Sequence, residues 1–255
     1  MVGTKLIPRD PTQRPLPRLQ PSHAVMNSCY LCGGPLVTST REHVIAKSIF
    51  SPNSLDNPLI LKACHIHNQQ KRKDDEYSSL LVQATSVSTN SDAAFKKSLS
   101  IIEKIYLKSG PIDNTTPNVG LIMGMRKNVR DLPFIKQDGV LKKFDGGELD
   151  IDCTRFNNFF INIAKGLLVI STQKIYNWEN FKFRVIFDHT SYAQIPTIMK
   201  PAFDYVTENC QFAERWNDTL FVAGINSWSS SGKLGSLFTV VIYNSHVAVI
   251  SVQEL

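Results

Sequence analysis

Two closely spaced pairs of cysteine and histidine residues are the part of this sequence best suited to chemistry. Cys29 and Cys32 lie in CYLCGG, and Cys64 and His67 lie in CHIHN. Thiolate and imidazole are the usual zinc ligands, and two intervening residues allow both members of a pair to bind one ion. The pattern therefore predicts a structural zinc site. A thiol redox pair is the alternative for Cys29 and Cys32, because a CxxC segment also forms one.

A segment of 31 residues separates the two pairs and carries further reactive side chains. Glu42 and His43 lie in REHVIAKS, and Asn57 lies in SLDNPLIL. A glutamate beside a histidine is, taken alone, most often a surface pair, since perturbed or reactive groups are a minority of titratable residues. Asn57 precedes Pro58 and also fits a simple turn. Their position between two ligand pairs favours a catalytic role.

The segments REHVIAKS, SLDNPLIL and CHIHNQQK, in this order, resemble the His-Asn-His (HNH) nucleases with a ββα-metal core. In that family an acidic-His pair ends a first strand, an asparagine lies in the following loop, and a short helix follows the second zinc pair. The resemblance spans roughly residues 27–82, about a fifth of the chain. One departure is the last zinc position, commonly cysteine, which is His67 here.

The resemblance implies hydrolysis of phosphodiester bonds with the help of one divalent ion. His43 would be the general base, since an imidazole with a pKa of about 6.5 can accept a proton at neutral pH. Glu42 and Asn68 would supply oxygen ligands to Mg²⁺ or Mn²⁺. Asn57 would hold the loop and orient His43 through a hydrogen bond.

Two of these assignments have alternatives. Asn68 also fits a helix N-cap, because asparagine is favoured at that position. His67 could bind the catalytic ion in place of Asn68, which would leave the zinc with three protein ligands.

Basic residues near these segments are candidates for contact with nucleic acid: Arg41, Lys47, Lys71 and Arg72. The last two belong to a run from Asn68 onward that predicts a helix with Tyr77, Leu80, Leu81 and Ala84 on one face. Three acidic residues follow directly at 74–76. A solvated charged face is therefore an equally good interpretation of the run.

Composition sets the broad class of protein. The net charge of +6 is consistent with a polyanionic partner, which we expect to be DNA, although RNA is not excluded. Five cysteines, with Cys153 and Cys210 isolated from the others, do not form a disulfide pattern. The chain lacks a signal peptide and an apolar span of about 20 residues, so we expect a soluble cytoplasmic protein with no membrane contact.

The predicted fold class is α+β, with an N-terminal zinc-stapled ββα-metal nuclease domain followed by a mixed helix and antiparallel-sheet domain. We expect a basic, Pro-rich arm over 1–26, the nuclease domain and following helices over 27–110, a connector over 111–150, and an α+β unit over 151–255. The arm is either a tether to phosphates or a flexible tail. The last unit contains a helix from Cys153 with phenylalanines at helical spacing and a terminal antiparallel hairpin.

The sequence thus predicts a metal-dependent HNH endonuclease that cuts DNA. The family implies a setting in restriction or phage defence. The C-terminal unit would recognise a target, form a homodimer or bind a regulatory protein. Two alternatives stay open: a catalytically inactive, zinc-dependent module that binds nucleic acid, and a nuclease subunit of a complex controlled by its partner.

Overall fold

The computed structural model of the protein describes residues 25, 27–49, 59–85, 129–131, 134–137, 140–143, 147–149, 151–189, 197, 199–209, 212–216, 221–242 and 246–255. Three sequence predictions lie outside these residues: the basic arm, apart from Val25, the role of Asn57, and a second amphipathic helix, which apolar residues at helical spacing predict over 91–109.

A short hairpin and a helix carry the candidate site. Strand β1 (Thr40–His43) pairs antiparallel with β2 (Ile60–Ala63), so that His43 lies opposite Ile60. A 3-10 turn over Lys47–Ile49 follows β1, and helix α1 (His65–Thr85) begins directly after β2. The order is therefore strand, strand, helix, and the Glu42–His43 pair ends the first strand as predicted.

Helix α1 begins earlier than expected from the sequence. The backbone N–H of Asn68 donates to the carbonyl of Cys64 at 3.0 Å, so Asn68 already lies inside the first turn and is not an N-cap. Tyr77, Leu80 and Leu81 are buried, as their helical spacing predicts. His67 and Asn68 are consequently both placed at the end of the helix that meets the hairpin.

Helix α2 (Cys153–Thr172) is the central helix of the second half. Asp152 caps its start by accepting hydrogen bonds from the N–H groups of Thr154 and Arg155, and Gln173 ends it with φ 56°. Its apolar stripe is buried, which confirms the sequence prediction for Phe156, Phe159, Phe160, Ile163, Leu167 and Ile170.

An antiparallel sheet of five strands follows, with α3 (Lys200–Asn209) inserted between its first two strands in the chain. The strands are β7 (Phe181–His189), β8 (Phe212–Trp216), β9 (Phe221–Ser230), β10 (Lys233–Ile242) and β11 (His246–Glu254), in spatial order β7-β11-β10-β9-β8. The terminal hairpin of β10 and β11 is confirmed. Ser231 and Gly232 join β9 to β10 with positive φ values, as two-residue hairpin turns favour.

Both faces of this sheet are covered. Phe238 and Val240 of β10 belong to the core beneath α2, whereas Val241 packs with Phe203 of α3 on the opposite face. Because successive strand residues point to opposite faces, burial on both sides explains the nearly continuous apolar runs of β10 and β11.

The segment between α1 and α2 contains two short antiparallel strand pairs. Strand β3 (Val129–Asp131) pairs with β6 (Gly147–Leu149), and β4 (Phe134–Gln137) pairs with β5 (Val140–Lys143). The sequence predicts short strands within this connector at 141–144 and 148–151, and β5 and β6 lie close to those positions.

One hydrophobic core joins the two halves of the protein. Leu31, Val44 and Leu61 from the hairpin region belong to the same buried cluster as α2 and the sheet. The coarse α+β class is confirmed, and described residues of both 27–82 and 151–255 contribute to this buried cluster. In the described part of the chain, no helix is both long and apolar enough to cross a membrane.

Candidate metal centre and the adjoining Glu42–His43 site

The predicted zinc ligands come together in space. The ligand atoms of Cys29, Cys32, Cys64 and His67 all lie within 4.8 Å of one another, and Cys64 Sγ is 2.9 Å from His67 Nδ1. Zinc binds sulfur at about 2.3 Å and nitrogen at about 2.0 Å. Ligand atoms that surround one zinc ion therefore lie at distances from one another like those found here. This group of four residues, called the Cys/His cluster below, could therefore bind a metal ion such as zinc. A third thiol and an imidazole beside Cys29 and Cys32 favour a metal site over a simple redox pair.

The first ligand pair is held by a tight turn that needs glycine. The N–H of Gly33 donates to the carbonyl of Cys29, and the N–H of Cys29 donates to the carbonyl of Gly34, both at 2.8 Å. Gly33 has φ 81°, and a Cβ atom there would lie 2.2 Å from the carbonyl oxygen of Tyr176. Both the backbone conformation and the close approach to Tyr176 therefore exclude a side chain.

The turn is fixed to the rest of the fold through its neighbours. The N–H of Tyr30 donates to Lys62 of β2 at 3.1 Å, and the indole N–H of Trp178 donates to the carbonyl of Tyr30 at 2.8 Å. Lys165 of α2 donates to the carbonyl of Leu31 at 3.1 Å. Residues far apart in sequence thus hold the Cys/His cluster in place.

Lys165 also interacts electrostatically with the thiols of Cys29 and Cys32. Burial lowers the pKa of its ammonium, whereas the charges of Cys29 and Cys32 oppose that effect. Three thiolates and a neutral imidazole around Zn²⁺ carry a net charge of −1, because only two of the three negative charges are neutralised. The half-buried ammonium of Lys165 is well placed to offset that charge.

A buried lysine holds Glu42 and His43 together. Lys71 is 2% exposed, and its ammonium donates to Glu42 Oε1 and to the carbonyl of His43, both at 3.0 Å, and to Asp75 Oδ2. An ammonium has three N–H donors, so all of them are occupied. The sequence predicted that Lys71 contacts nucleic acid. The structure instead places it inside the protein, as a support for the end of β1.

Asp75 completes this buried group of charges. Burial raises its pKa to about 6, more than the nearby ammonium of Lys71 lowers it, and the charge of Glu42 raises it further. Its second oxygen, Oδ1, is buried without a hydrogen-bond partner. The prediction that the acidic run at 74–76 forms a solvated face therefore fails for Asp75.

The imidazole of His43 is half-buried at the end of β1. Burial lowers its pKa, and the positive charges of Lys47, Lys71 and Arg41 act in the same direction. The lowered pKa favours the neutral imidazole, the form that can accept a proton.

Asn68 is oriented by β1. Its amide nitrogen donates to Thr40 Oγ1 at 2.8 Å, and that hydroxyl donates to the carbonyl of Ala63 at 3.2 Å. Glu42 of the hairpin is thus bonded to α1 through Lys71, and Asn68 of α1 is bonded to the hairpin through Thr40.

The other predicted nucleic-acid contacts are at the surface. Arg41 and Lys47 are exposed at either end of the Glu42–His43 segment. The side chain of Arg72 is 77% exposed and pairs with Glu76 at 2.8 Å, one turn further along α1.

The structure also contains a polar cleft that the sequence analysis missed. It has a volume of about 510 Å³, lies between α1 and α2, and is lined by Leu31, His67, Gln70, Lys71, Lys73, Asp74, Arg155, Asn158, Asn162 and Lys165. The sequence does indicate the polar side of α2 that lines this cleft. Polar residues recur there at helical spacing within a helix whose other side is apolar.

Comparison with known proteins adds no further constraint on this site. No known protein family, curated protein or solved structure matches the chain.

Proposed function

We propose that this protein is a metal-dependent endonuclease of the HNH type that hydrolyses phosphodiester bonds in DNA. The observation that carries the proposal is that Glu42 and His43 end β1 in the order strand, strand, helix, with Lys71 of α1 bonded to Glu42 Oε1 and to the carbonyl of His43. A neutral imidazole next to oxygen ligands is the combination that metal-assisted hydrolysis requires.

Each residue at the end of β1 has a distinct role in this proposal. His43 accepts the proton of the attacking water. Glu42 and Asn68 hold Mg²⁺ or Mn²⁺, which supplies charge stabilisation to the phosphate when it is bound. The donor atoms fit such an ion. Lys71 takes up Glu42 Oε1, and Asn68 donates through its nitrogen, so a second carboxylate oxygen and an amide oxygen are left for a hard cation. The Cys/His cluster has a structural role.

Positive charge around His43 supports a polyanionic substrate. Arg41, Lys47 and Arg72 are exposed and provide sequence-independent contacts to phosphates. DNA is the proposed substrate. A homodimer or a regulatory protein partner belongs to the same proposal, because one such site cuts one strand at a time.

A second candidate function is a zinc-dependent module that binds nucleic acid without cutting it. The specific observation in its favour is the contact between Lys71 and Glu42. A carboxylate already neutralised by a buried ammonium is a weaker ligand for Mg²⁺ than a free one.

Cleavage of a supercoiled plasmid tests the proposal. Purified zinc-loaded protein is incubated with Mg²⁺, Mn²⁺ or EDTA, and wild type is compared with His43→Ala. We expect metal-dependent cleavage that falls by at least about a hundredfold in His43→Ala, the usual loss when a general base is removed.

His65→Ala is the matched control, because His65 is an exposed histidine of α1 whose ring contacts Gln69. This variant should cleave like wild type. If folded, zinc-loaded wild-type protein binds DNA but does not cut it with either ion, the second candidate function, binding without cleavage, is favoured over the nuclease.

A further inference from the structure

Polar and charged side chains predominate among the residues that line the cleft between α1 and α2. Of the ten described residues in the lining, nine are basic, acidic or amide side chains or His67, and Leu31 is apolar. A volume of about 510 Å³ lies within the usual range of small-molecule sites, roughly 300–1,000 Å³. Most such sites are lined by apolar groups, so the composition of this cleft indicates a strongly polar ligand.

Helical periodicity creates the cleft. Arg155, Asn158, Asn162 and Lys165 are spaced three, four and three residues apart, so they form one stripe along α2. The phenylalanines of the same helix point into the core. The facing stripe of α1 includes His67, Gln70 and Asp74, also at helical spacing. Both helices are therefore amphipathic, and their polar sides meet at the cleft.

The single carboxylate of the lining is already engaged. Asp74 lies 3.5 Å from Arg155 Nε and is hydrogen-bonded by Asn158. Arg155 also donates to the carbonyl of Lys73 and stacks over the ring of Tyr77 at 4.6 Å. These contacts fix the positions of Arg155, Asp74 and Asn158 on one side of the cleft.

The other charged side chains that line the cleft are cationic. Among the described residues, neither Lys73 nor Lys165 forms an ion pair with a carboxylate, and the Lys73 side chain is exposed at the rim. Lys71 contributes little, since Glu42 and Asp75 neutralise it. A ligand that carries a phosphate would place it near Lys73 and Arg155.

Two amide side chains remain for recognition of a second ligand group. In the described part of the structure, Gln70 and Asn162 have no side-chain hydrogen-bond partner. An amide offers two N–H donors and a carbonyl acceptor, and this combination matches the donor and acceptor edges of nucleobases.

We propose that the cleft binds one nucleotide, with its base at Gln70 and Asn162 and its phosphate at Lys73 and Arg155. The source is either a free nucleotide or one unit of a single-stranded segment. Only the second source rests on the proposed nuclease function. In that case the cleft holds a nucleotide on the side of α1 that faces α2, while Asn68 and Lys71 connect α1 to the site at His43.

Calorimetric titration of the full chain, zinc-loaded and carrying His43→Ala, tests this site without turnover. The probes are each nucleoside 5′-monophosphate, a short single-stranded oligonucleotide, and inorganic phosphate. We expect nucleotides to bind more tightly than inorganic phosphate. Binding of the monophosphates identifies a site for free nucleotides, and binding of the oligonucleotide alone identifies a strand as the source.

Variants locate the binding in the cleft. Asn162→Ala should weaken nucleotide binding roughly two- to tenfold, the usual effect of one lost hydrogen bond. Lys73→Gln should weaken it roughly two- to fivefold, because Lys73 is exposed. Lys200→Gln removes the same charge from α3, which packs on the opposite face of the sheet, and should change nothing.

Three results would overturn the proposal. The first is the absence of binding by nucleotide and oligonucleotide to folded, zinc-loaded protein. The second is equal affinity for inorganic phosphate and nucleotides. The third is binding that Asn162→Ala and Lys73→Gln leave unchanged. Plasmid cleavage by wild type is measured separately, so loss of the nuclease proposal and loss of the nucleotide site are distinguishable.

Discussion

Lys71 is the residue on which the end of β1 depends. Its ammonium faces two carboxylates and a backbone carbonyl, and both Lys71 and Asp75 are buried. Removing one member of a buried charge group leaves the others unpaired, which costs more than the group contributed as a whole. The same contacts fix the direction of the Glu42 side chain and of the backbone at His43.

Replacement of Lys71 by methionine should therefore destabilise the protein by about 3–5 kcal/mol, as measured by urea unfolding. The variant should also cleave plasmid more slowly, because Glu42 loses the hydrogen bond that fixes its side chain. Arg72→Met is the matched control on the next residue of α1. That exposed pair with Glu76 should contribute little to stability, because solvent screens it. Equal effects of the two variants would show that Lys71 is not a structural support.

Asp75 gives the free energy of unfolding a dependence on pH. Its pKa rises from 3.8 in the unfolded chain to about 6 in the folded protein, so the folded state binds the proton more tightly. Stability from this group is thus greatest at low pH and falls as pH rises through the interval between the two values. The groups facing Asp75 are Lys71, Glu42 and Asp74.

Relative to Asp75→Asn, wild type should lose about 1 kcal/mol of stability between pH 5 and pH 7. The measurement is urea unfolding of both proteins across that range, with zinc in excess. Parallel pH profiles would mean that Lys71 keeps Asp75 ionised in the folded state throughout. If Asp75→Asn becomes less stable relative to wild type as pH rises, folding lowers the pKa of Asp75 and does not raise it.

Contact between α2 and the segment after β1 depends on one glycine. A Cβ atom at Gly166 would lie 2.4 Å from Cγ1 and 2.7 Å from Cγ2 of Val44, the residue that follows His43. Valine has few alternative rotamers, so either Val44 or α2 must shift. The packing of an element in the second half thereby determines the position of the candidate general base in the first.

Gly166→Ala should lower stability by about 1–3 kcal/mol through overpacking, reduced by up to about 1 kcal/mol from the higher helix propensity of alanine. It should also slow plasmid cleavage, because Val44 displaces His43. The double variant Gly166→Ala, Val44→Ala removes the clash and should recover cleavage more fully than stability. If the single variant unfolds and cleaves like wild type, α2 does not position His43.

The elements that sequence could predict are those with strong local patterns. The phenylalanine stripe of α2, the apolar runs of β10 and β11 and the two ligand pairs are all visible as local patterns along the chain, and the structure shows the helix, the hairpin and the Cys/His cluster. Lys71 and Arg155 could not be assigned in this way. Their environments are created by partners 28 to 82 residues away, such as His43 and Lys73, and helical spacing alone does not reveal what the opposite side contacts.

At the scale of the whole molecule, the Cys/His cluster and the sheet share one core. Cys29, Tyr30 and Leu31 are buried in the same cluster as the inner residues of β10 and β11. Zinc sites in small peptides contribute about 10–16 kcal/mol to folding at pH 7, comparable to or larger than the stability of a typical domain, about 5–15 kcal/mol. Loss of the ion should therefore affect the sheet as well as the cluster.

We expect chelation of zinc, or Cys64→Ser, to lower the melting temperature of the whole chain in a single transition. Trp178 provides a local readout, because its indole N–H donates to Tyr30 and its ring is buried. Its fluorescence should shift to the red together with the loss of β-sheet signal in circular dichroism. Trp178→Phe identifies the contribution of this residue to the spectrum.

Cys153→Ser is the matched control, since Cys153 is an exposed thiol outside the cluster and its replacement should leave melting unchanged.

Removal of zinc could instead separate the melting of the two halves. If the sheet melts at the same temperature without zinc while Trp178 alone becomes exposed, residues 151–255 fold independently, as the predicted boundary at residue 150 implies. Joint melting would instead show that the contacts of α2 with Val44 and Leu31 make the zinc segment and the sheet one cooperative unit.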